Sequence, residues 1–314
     1  MQLIRPDINI DFIGRRKLAM LISALMIVIS LAALATRGLN FGIDFTGGTL
    51  VEVKFDKPAD IADIRSAISP KGYGNAVIQD FGSPEEIMIR VQNKENEKSS
   101  TISTAILDGL NEKFGADAVE MRRVEFVGPQ VGEELTQAGI MAVLIAMLAI
   151  LVYVTFRFEF RFALGADAAL VHDITIVLGL FAITGKEFTL PVIAALLTVI
   201  GYSLNDTIVV FDRIRENFAA NRKRKNPGEE ADIANASVNQ TLARTLMTSG
   251  TTVLVVAALF FFGGEVIHDF AFALLAGILV GTYSSIYIAS PIMLSLAGRF
   301  KGDEEERNKM EERP

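Results

Sequence analysis

Between Phe188 and Glu216 the chain reads FTLPVIAALLTVIGYSLNDTIVVFDRIRE. From Phe188 to Phe211 this stretch is apolar and long enough to cross a bilayer as a helix, which takes about 20 such residues. Yet Asn205 and Asp206 sit inside it. A carboxylate at that depth costs about 2.5–3.5 kcal/mol on insertion scales. Such a group normally faces a bundle interior or a water-filled cavity, often on an ion or proton path. The rest of the chain reads as apparatus around that acid.

The composition agrees with a membrane protein: 51% of the 314 residues are hydrophobic, and the mean hydropathy is +0.38. Cysteine is absent, which excludes disulfides, a thiolate metal site and a cysteine nucleophile. The only histidines are His172 and His268, too few for a histidine-rich metal cluster. Gly179 to Gly185-Lys186 is one residue too long for a P-loop and lacks Ser or Thr after the lysine. Neither a nucleophile elbow nor a zinc pattern is present. The expectation is therefore a protein without ATPase chemistry, without an enzyme active site and without a cofactor or metal. Its energy would come from an ion gradient or a partner.

Residues 1–17 form a short amphipathic lead ending in Arg15-Arg16-Lys17, and residues 18–36 form a first apolar run. Ala33-Leu34-Ala35 resembles a signal-peptidase site, but the run exceeds the roughly 7–15 residues of a signal core. It is taken as an uncleaved anchor. Residues 37–134 have the composition of a soluble domain. Strand patterns at Leu50–Phe55, Ala76–Phe81, Glu86–Gln92 and Ala118–Val127 alternate with helical patterns at Ala59–Ile68 and Ser99–Phe114. That β-α-β-β-α-β order is the ferredoxin-like split pattern.

Residues 135–298 hold five more apolar stretches: Leu135–Phe156, Phe162–Gly185, Phe188–Phe211, Thr245–Gly264 and Phe270–Gly298. The fold class is thus a six-span α-helical membrane protein with one small α+β domain between the first and second spans. Basic residues sort by loop. Arg157 and Arg161, then Arg213, Arg215, Arg222, Lys223, Arg224 and Lys225 in a basic loop 213–243, then Arg299 and Lys301, all fall on one side. The other side carries Lys186 and, between Gly264 and Phe270, no Lys or Arg. By the positive-inside rule both termini are cytoplasmic. The 37–134 domain then lies outside, in the periplasm of a Gram-negative cell. The tail 299–314 is charged and reads as a solvated, disordered end.

Asp206 leads the candidate residues. Its apolar neighbours disfavour the charged form, and a nearby cation would favour it. A group between those influences can gain and lose a proton during a cycle. The plainer reading is a buried acid that holds helices together in one fixed state. Thr241, Arg244, Thr245, Thr248, Thr251 and Thr252 recur at helical spacing. That stripe either lines a path and offers Arg244 to Asp206, or packs helices while Arg244 snorkels to the interface. His172-Asp173, near the middle of the third span, is a relay candidate or a satisfied structural pair. By depth Asp173 rivals Asp206, and spacing does not rank them. Gly277 and Gly281 form a G-x-x-x-G match extended by Ser284, Ser285 and Ala289, which indicates close helix packing, internal before external. Asp212 to Glu216 reads as a charged helix end.

The segment Gly42-Ile43-Asp44-Phe45-Thr46-Gly47-Gly48 resembles the G-[IL]-D-F-x-G-G signature shared by SecD and SecF, accessory membrane subunits of bacterial protein export. Leu170 to Asp173, Gly201 to Asn217, Gln240 to Thr245 and Thr248 to Thr252 resemble the SecF family in particular. The similarity runs from about Phe12 to Pro291 and includes the six-span layout. It implies membership of the resistance-nodulation-division superfamily and a twelve-helix unit completed by six spans of SecD. It also implies proton-motive-force use to complete preprotein translocation across the inner membrane. The implied partners are SecD, the SecY/SecE/SecG translocon with SecA, YajC, an unfolded preprotein and the lipid bilayer, with no nucleic acid. The family's intramembrane Asp falls on Asp206 and its intramembrane Arg on Arg244. Rocking of the spans would reach the outer domain through the first and second spans, which flank it. Two other readings stand beside this: a structural scaffold without ion conduction, and a small-molecule exporter subunit of the same superfamily. The latter expects larger outer domains and all twelve spans on one chain.

Overall fold

The computed structural model describes residues 9–92, 98–115, 118–224 and 228–296. The chain begins with α1 (Arg16–Thr36), followed by β1 (Asn40–Phe41) and a single-turn α2 (Ile43–Thr46). An α/β domain follows: β2 (Gly48–Phe55), α3 (Ile61–Ile68), β3 (Val77–Phe81), β4 (Ser83–Val91), α4 (Ser99–Phe114) and β5 (Val119–Val127). Then come α5 (Pro129–Arg157), α6 (Phe160–Thr184), β6 (Glu187–Phe188), α7 (Leu190–Arg222), α8 (Glu230–Phe262) and α9 (Glu265–Ser284). The last helix passes through a π-helical turn, Ser285–Ala289. Among the described residues six helices are long and apolar enough to cross a membrane.

The α/β domain has the expected element order. Its four strands lie in the order β3-β4-β2-β5, each neighbour antiparallel. Alternation along β2 sends Val51, Val53 and Phe55 to one face, where they meet Ile64 and Ile68 of α3 and Ile102, Ile106 and Leu110 of α4. Asp60 caps α3 by accepting from Ala62 N at 2.7 Å. The opposite face, with Leu50 and Met88, looks toward the helical bundle. Between sheet and bundle lies a cavity of about 540 Å³ lined by Glu52, Arg123, Glu125, Lys186, Glu187 and Asp269 among others.

Within the bundle, α6, α7 and α9 bury about half of their apolar windows, while α1, α5 and α8 bury under a fifth. The first three are therefore its centre. Small residues let them approach: a Cβ on Gly277 would stand 2.2 Å from Val199 Cγ2, and one on Gly281 would stand 2.9 Å from Ser203 Cβ. The G-x-x-x-G pair thus seats α9 on α7, an internal contact.

The stretch 213–243, expected as a basic loop, is mostly helix. α7 runs 33 residues to Arg222 and α8 starts at Glu230. At 1.5 Å per residue each spans about 50 Å, so both project well beyond about 30 Å of hydrocarbon. Their charged ends are solvated helix rather than turn. Asp212 there pairs with Arg215 at 2.7 Å and with Arg157 of α5 at 3.4 Å. Of the lead, the described part folds back on α8: Asn235 and Asn239 hydrogen-bond the backbone of Ile10, and Asn235 also accepts from Phe12 N. Residues 1–8, Lys225 and the tail 299–314 lie outside the described residues.

A short parallel pair, Asn40↔Glu187 and Phe41↔Phe188, joins the entry of the α/β domain to the α6–α7 connection. Burial pushes the Glu187 carboxyl above the ordinary glutamate value of 4.5; the Arg90 guanidinium opposes this, while Asp269, Asp44 and Glu125 reinforce it. The folded state therefore holds the Glu187 proton more tightly than the unfolded chain does. Stability at this joint falls as pH rises from 4.5 through the raised folded value. Glu187→Gln should flatten that slope when thermal midpoints in detergent are compared across acidic to neutral pH. A second outcome concerns Gly48, whose φ is +127° and whose added Cβ would lie 2.5 Å from Val91 O. Gly48→Ala should cost about 1–3 kcal/mol from backbone strain alone, plus the clash. Gly38→Ala, at φ +70° in open space, should cost about 1–2 kcal/mol. Thermal unfolding of the full chain in detergent ranks the two.

Candidate functional site

Asp206 lies at the middle of α7, 3% exposed. Ser249 Oγ on α8 donates to its Oδ2 at 3.2 Å. Thr282 Oγ1 on α9 lies 2.7 Å from Ser249 Oγ and, equally, 2.7 Å from the carbonyl of Ile278. One hydroxyl proton cannot serve both acceptors, so Thr282 has two orientations available. Three helices thus meet at one carboxylate through a chain of two hydroxyls.

One turn away on the same face of α7, Ser203 serves a second acid. Asp173 on α6 is fully buried. Ser203 Oγ and Ser284 Oγ of α9 donate to its Oδ2 at 2.7 and 2.8 Å, and His172 Nδ1 stands 2.9 Å from its Oδ1. Gly281 allows this convergence, since a Cβ there would stand 2.9 Å from Ser203 Cβ and 3.1 Å from Ser203 Oγ. The π-helical turn follows immediately after Ser284, and such turns concentrate at functional sites. The His172 ring stacks on Tyr283 at 6.1 Å, while its Nε2 is buried with no hydrogen-bond partner. Tyr283 in turn donates to Ala19 O of α1 at 2.8 Å and accepts from Ser23 at 3.1 Å. The His172-Asp173 pair is therefore the hub of α1, α6, α7 and α9.

Arg244 is exposed on α8 and makes no ion pair with Asp206 among the described residues. The inward stripe of α8 is Thr241, Thr245 and Ser249, all buried and four residues apart. Arg244 is one residue off that stripe. Thr248 and Thr251 bond back to their own helix, and Thr252 meets the Tyr202 hydroxyl at 3.3 Å. Asn205 is exposed and makes no side-chain hydrogen bond among the described residues, so it does not join Asp206. Asp167 stays apart from Asp173, with Oδ1 buried and unpartnered. Sequence reasoning passed over Ser249 and Thr282 as acid contacts. The signal for Ser249 is the i, i+4 spacing of Thr241, Thr245 and Ser249. Among the described residues no three His, Cys, Asp or Glu side chains gather to hold a metal ion.

The motif residues Gly42, Asp44, Phe45, Gly47 and Gly48 are elsewhere, at the end of the bundle facing the α/β domain. Asp44 Oδ2 accepts from Leu190 N, the first residue of α7, at 2.8 Å. From Leu190 to Asp206 the helix rises about 24 Å at 1.5 Å per residue.

Residues 106–299 match the family model for the protein export membrane protein SecD/SecF, C-terminal, and residues 32–59 match that of the SecD/SecF GG motif. The protein translocase subunit SecF of Vibrio alginolyticus is 53% identical over 94% of this chain and 92% of its own length. The corresponding subunit of Magnetococcus marinus is 57% identical over 94% of each. The crystal structure of SecDF, a translocon-associated membrane protein from Thermus thermophilus, superposes with a TM-score of 0.82 at 37% identity. That alignment covers 95% of this chain and 40% of the longer SecDF chain.

The two acids differ in how firmly they are held. Removing the Asp173 carboxylate strands the Ser203 hydroxyl of α7 and the His172 ring of α6, while Ser284 keeps the Gly281 carbonyl, and Asp173→Ala should cost about 1–3 kcal/mol for each stranded donor. Asp206→Ala releases one long contact and should cost about 1 kcal/mol by its hydrogen bond. Thermal unfolding of the two variants in detergent tests the order, with Asp173→Ala melting lower.

Proposed function

The chain belongs to the SecD/SecF family of protein-export membrane proteins, on its SecF side, and from that premise we propose that it is an accessory subunit of the bacterial Sec translocon. With SecD it uses the proton-motive force to complete preprotein translocation across the inner membrane. The observation that carries the energetic part is the lightly held Asp206 at the junction of α7, α8 and α9. The sorting of Lys and Arg to one set of loops supports a reading with both termini in the cytoplasm and the α/β domain outside. SecD supplies the remaining spans, and the SecY/SecE/SecG channel with SecA, and YajC, complete the assembly around the preprotein.

The step at Asp206 follows from hydrogen-bond direction. Ionised, the carboxylate accepts from Ser249, and Ser249 accepts from Thr282. Protonated, it donates to Ser249, which donates to Thr282, which turns to the Ile278 carbonyl. A proton on α7 is thereby read out on α9 without breaking the chain. The ionised state draws Arg244 closer, and the neutral state releases it. Each state favours its own helix packing, and a proton moving down its gradient drives the exchange. Asp173, saturated by its donors, is the fixed point against which α7 moves.

Asp206→Asn keeps the size and removes the titration. In sealed vesicles with proton and sodium gradients varied separately, it should abolish the gradient-stimulated part of export and leave the gradient-independent part. Full gradient stimulation in that variant contradicts the reading and leaves a scaffold role.

A further inference from the structure

We infer that the glycine-rich segment Gly42–Gly48 is a rigid joint that couples α7 to the α/β domain, with Asp44 as its positioning residue; this rests on the function proposed above. α7 lacks a side-chain cap of its own: its N-cap, Thr189, makes no capping bond. The cap comes instead from Asp44, 146 residues earlier in the chain, whose carboxylate accepts from Leu190 N. A carboxylate at a helix N-terminus satisfies an orphan donor and favours the helix dipole.

Further ties converge on the same place. Gly42 N donates to Phe188 O at 2.9 Å, and β1 pairs with β6. Phe41, Phe45 and Phe188 pack with centroids 5.8 to 5.9 Å apart, and Phe181 of α6 joins them at 5.9 Å. Arg90, from β4 of the α/β domain, donates to Phe41 O and lies 3.3 Å from Glu187. Asp269 of α9 accepts from Glu187 N at 2.9 Å and pairs with Lys186 at 2.8 Å. Gly47 is pressed against α5, where a Cβ on Gly132 would stand 3.0 Å from Gly47 N. The starts of α5, α7 and α9 therefore share one packed node with the α/β domain. Packed nodes of this kind transmit displacement rather than absorb it. A tilt of α7 generated at Asp206 reaches the α/β domain at its own end, in addition to any route through α1 and α5.

The test uses the full chain in its membrane complex, with two readouts. The first is amide hydrogen exchange over the first turn of α7. Asp44→Ala should lose protection there, while Asp44→Asn, which keeps an acceptor oxygen, should retain most of it. The second is export in sealed vesicles. Asp44→Ala should cut gradient-stimulated export about tenfold, in the range of ordinary coupling energies, with gradient-independent export unchanged and Asp44→Asn close to the parent. Arg90→Met, which cuts a separate tie, should lower the stimulated component and serves if Asp44→Ala does not accumulate. Unchanged exchange in Asp44→Ala overturns the joint whatever Asp206 does. If Asp206→Asn abolishes stimulation while Asp44→Ala and Arg90→Met keep it in full, the coupling role is overturned and the proposed function stands. If Asp206→Asn keeps stimulation, the proposed function falls, and exchange alone judges the joint.

Discussion

A carboxylate cannot sit among apolar helices without hydrogen-bond donors, and at Asp206 the supply is thin. One serine on α8 reaches it, and that serine leans on one threonine of α9. The desolvation cost of an ionised acid is several kcal/mol before compensation. On the function proposed above, the packing of three helices depends on whether that oxygen carries a proton. Well-packed interiors have discrete rather than graded arrangements, so a small change in charge becomes a choice between packings.

The contrast with Asp173 gives this choice something to work against. Asp173 takes its donors from α6, α7 and α9, and the stacked His172–Tyr283 pair extends the anchor to α1. On the proposed function Asp173 is a pin and Asp206 a latch. Ser203 and Asp206 share a face of α7, and Ser284 and Thr282 are neighbours on α9, so pin and latch act on the same two helices. At the far end of α7 the Asp44 cap and the phenylalanine cluster bind it to the α/β domain. The helix that carries Asp206 is thus the helix that the α/β domain grips.

Much of this was legible in the residues. An acid in an apolar run announces itself, as do six apolar runs and the alternation of β2. The split order of the α/β domain followed from strand and helix periods that its core then honoured at Val51, Val53, Ile64 and Ile106. The partner of Asp206 was harder to read, because Arg244 is the more conspicuous charge while Ser249 is the residue on the inward stripe. Helical phase, set by Thr241, Thr245 and Ser249, decided it. The extent of α7 and α8 beyond the bilayer was hidden because charged residues look alike in a solvated helix and a loop. The joint was hidden for a different reason: β1 and β6 are two residues each, and the Asp44 cap spans 146 positions, so no local pattern encodes either.

The most direct measurement is the infrared carbonyl stretch of protonated carboxyl groups in the assembled membrane complex, recorded as a difference between high and low pH. The account predicts a buried carboxyl band that titrates, disappears in Asp206→Asn, shifts in Ser249→Ala and survives in Asp173→Asn. A band that persists without Asp206, or that vanishes only with Asp173, would contradict it.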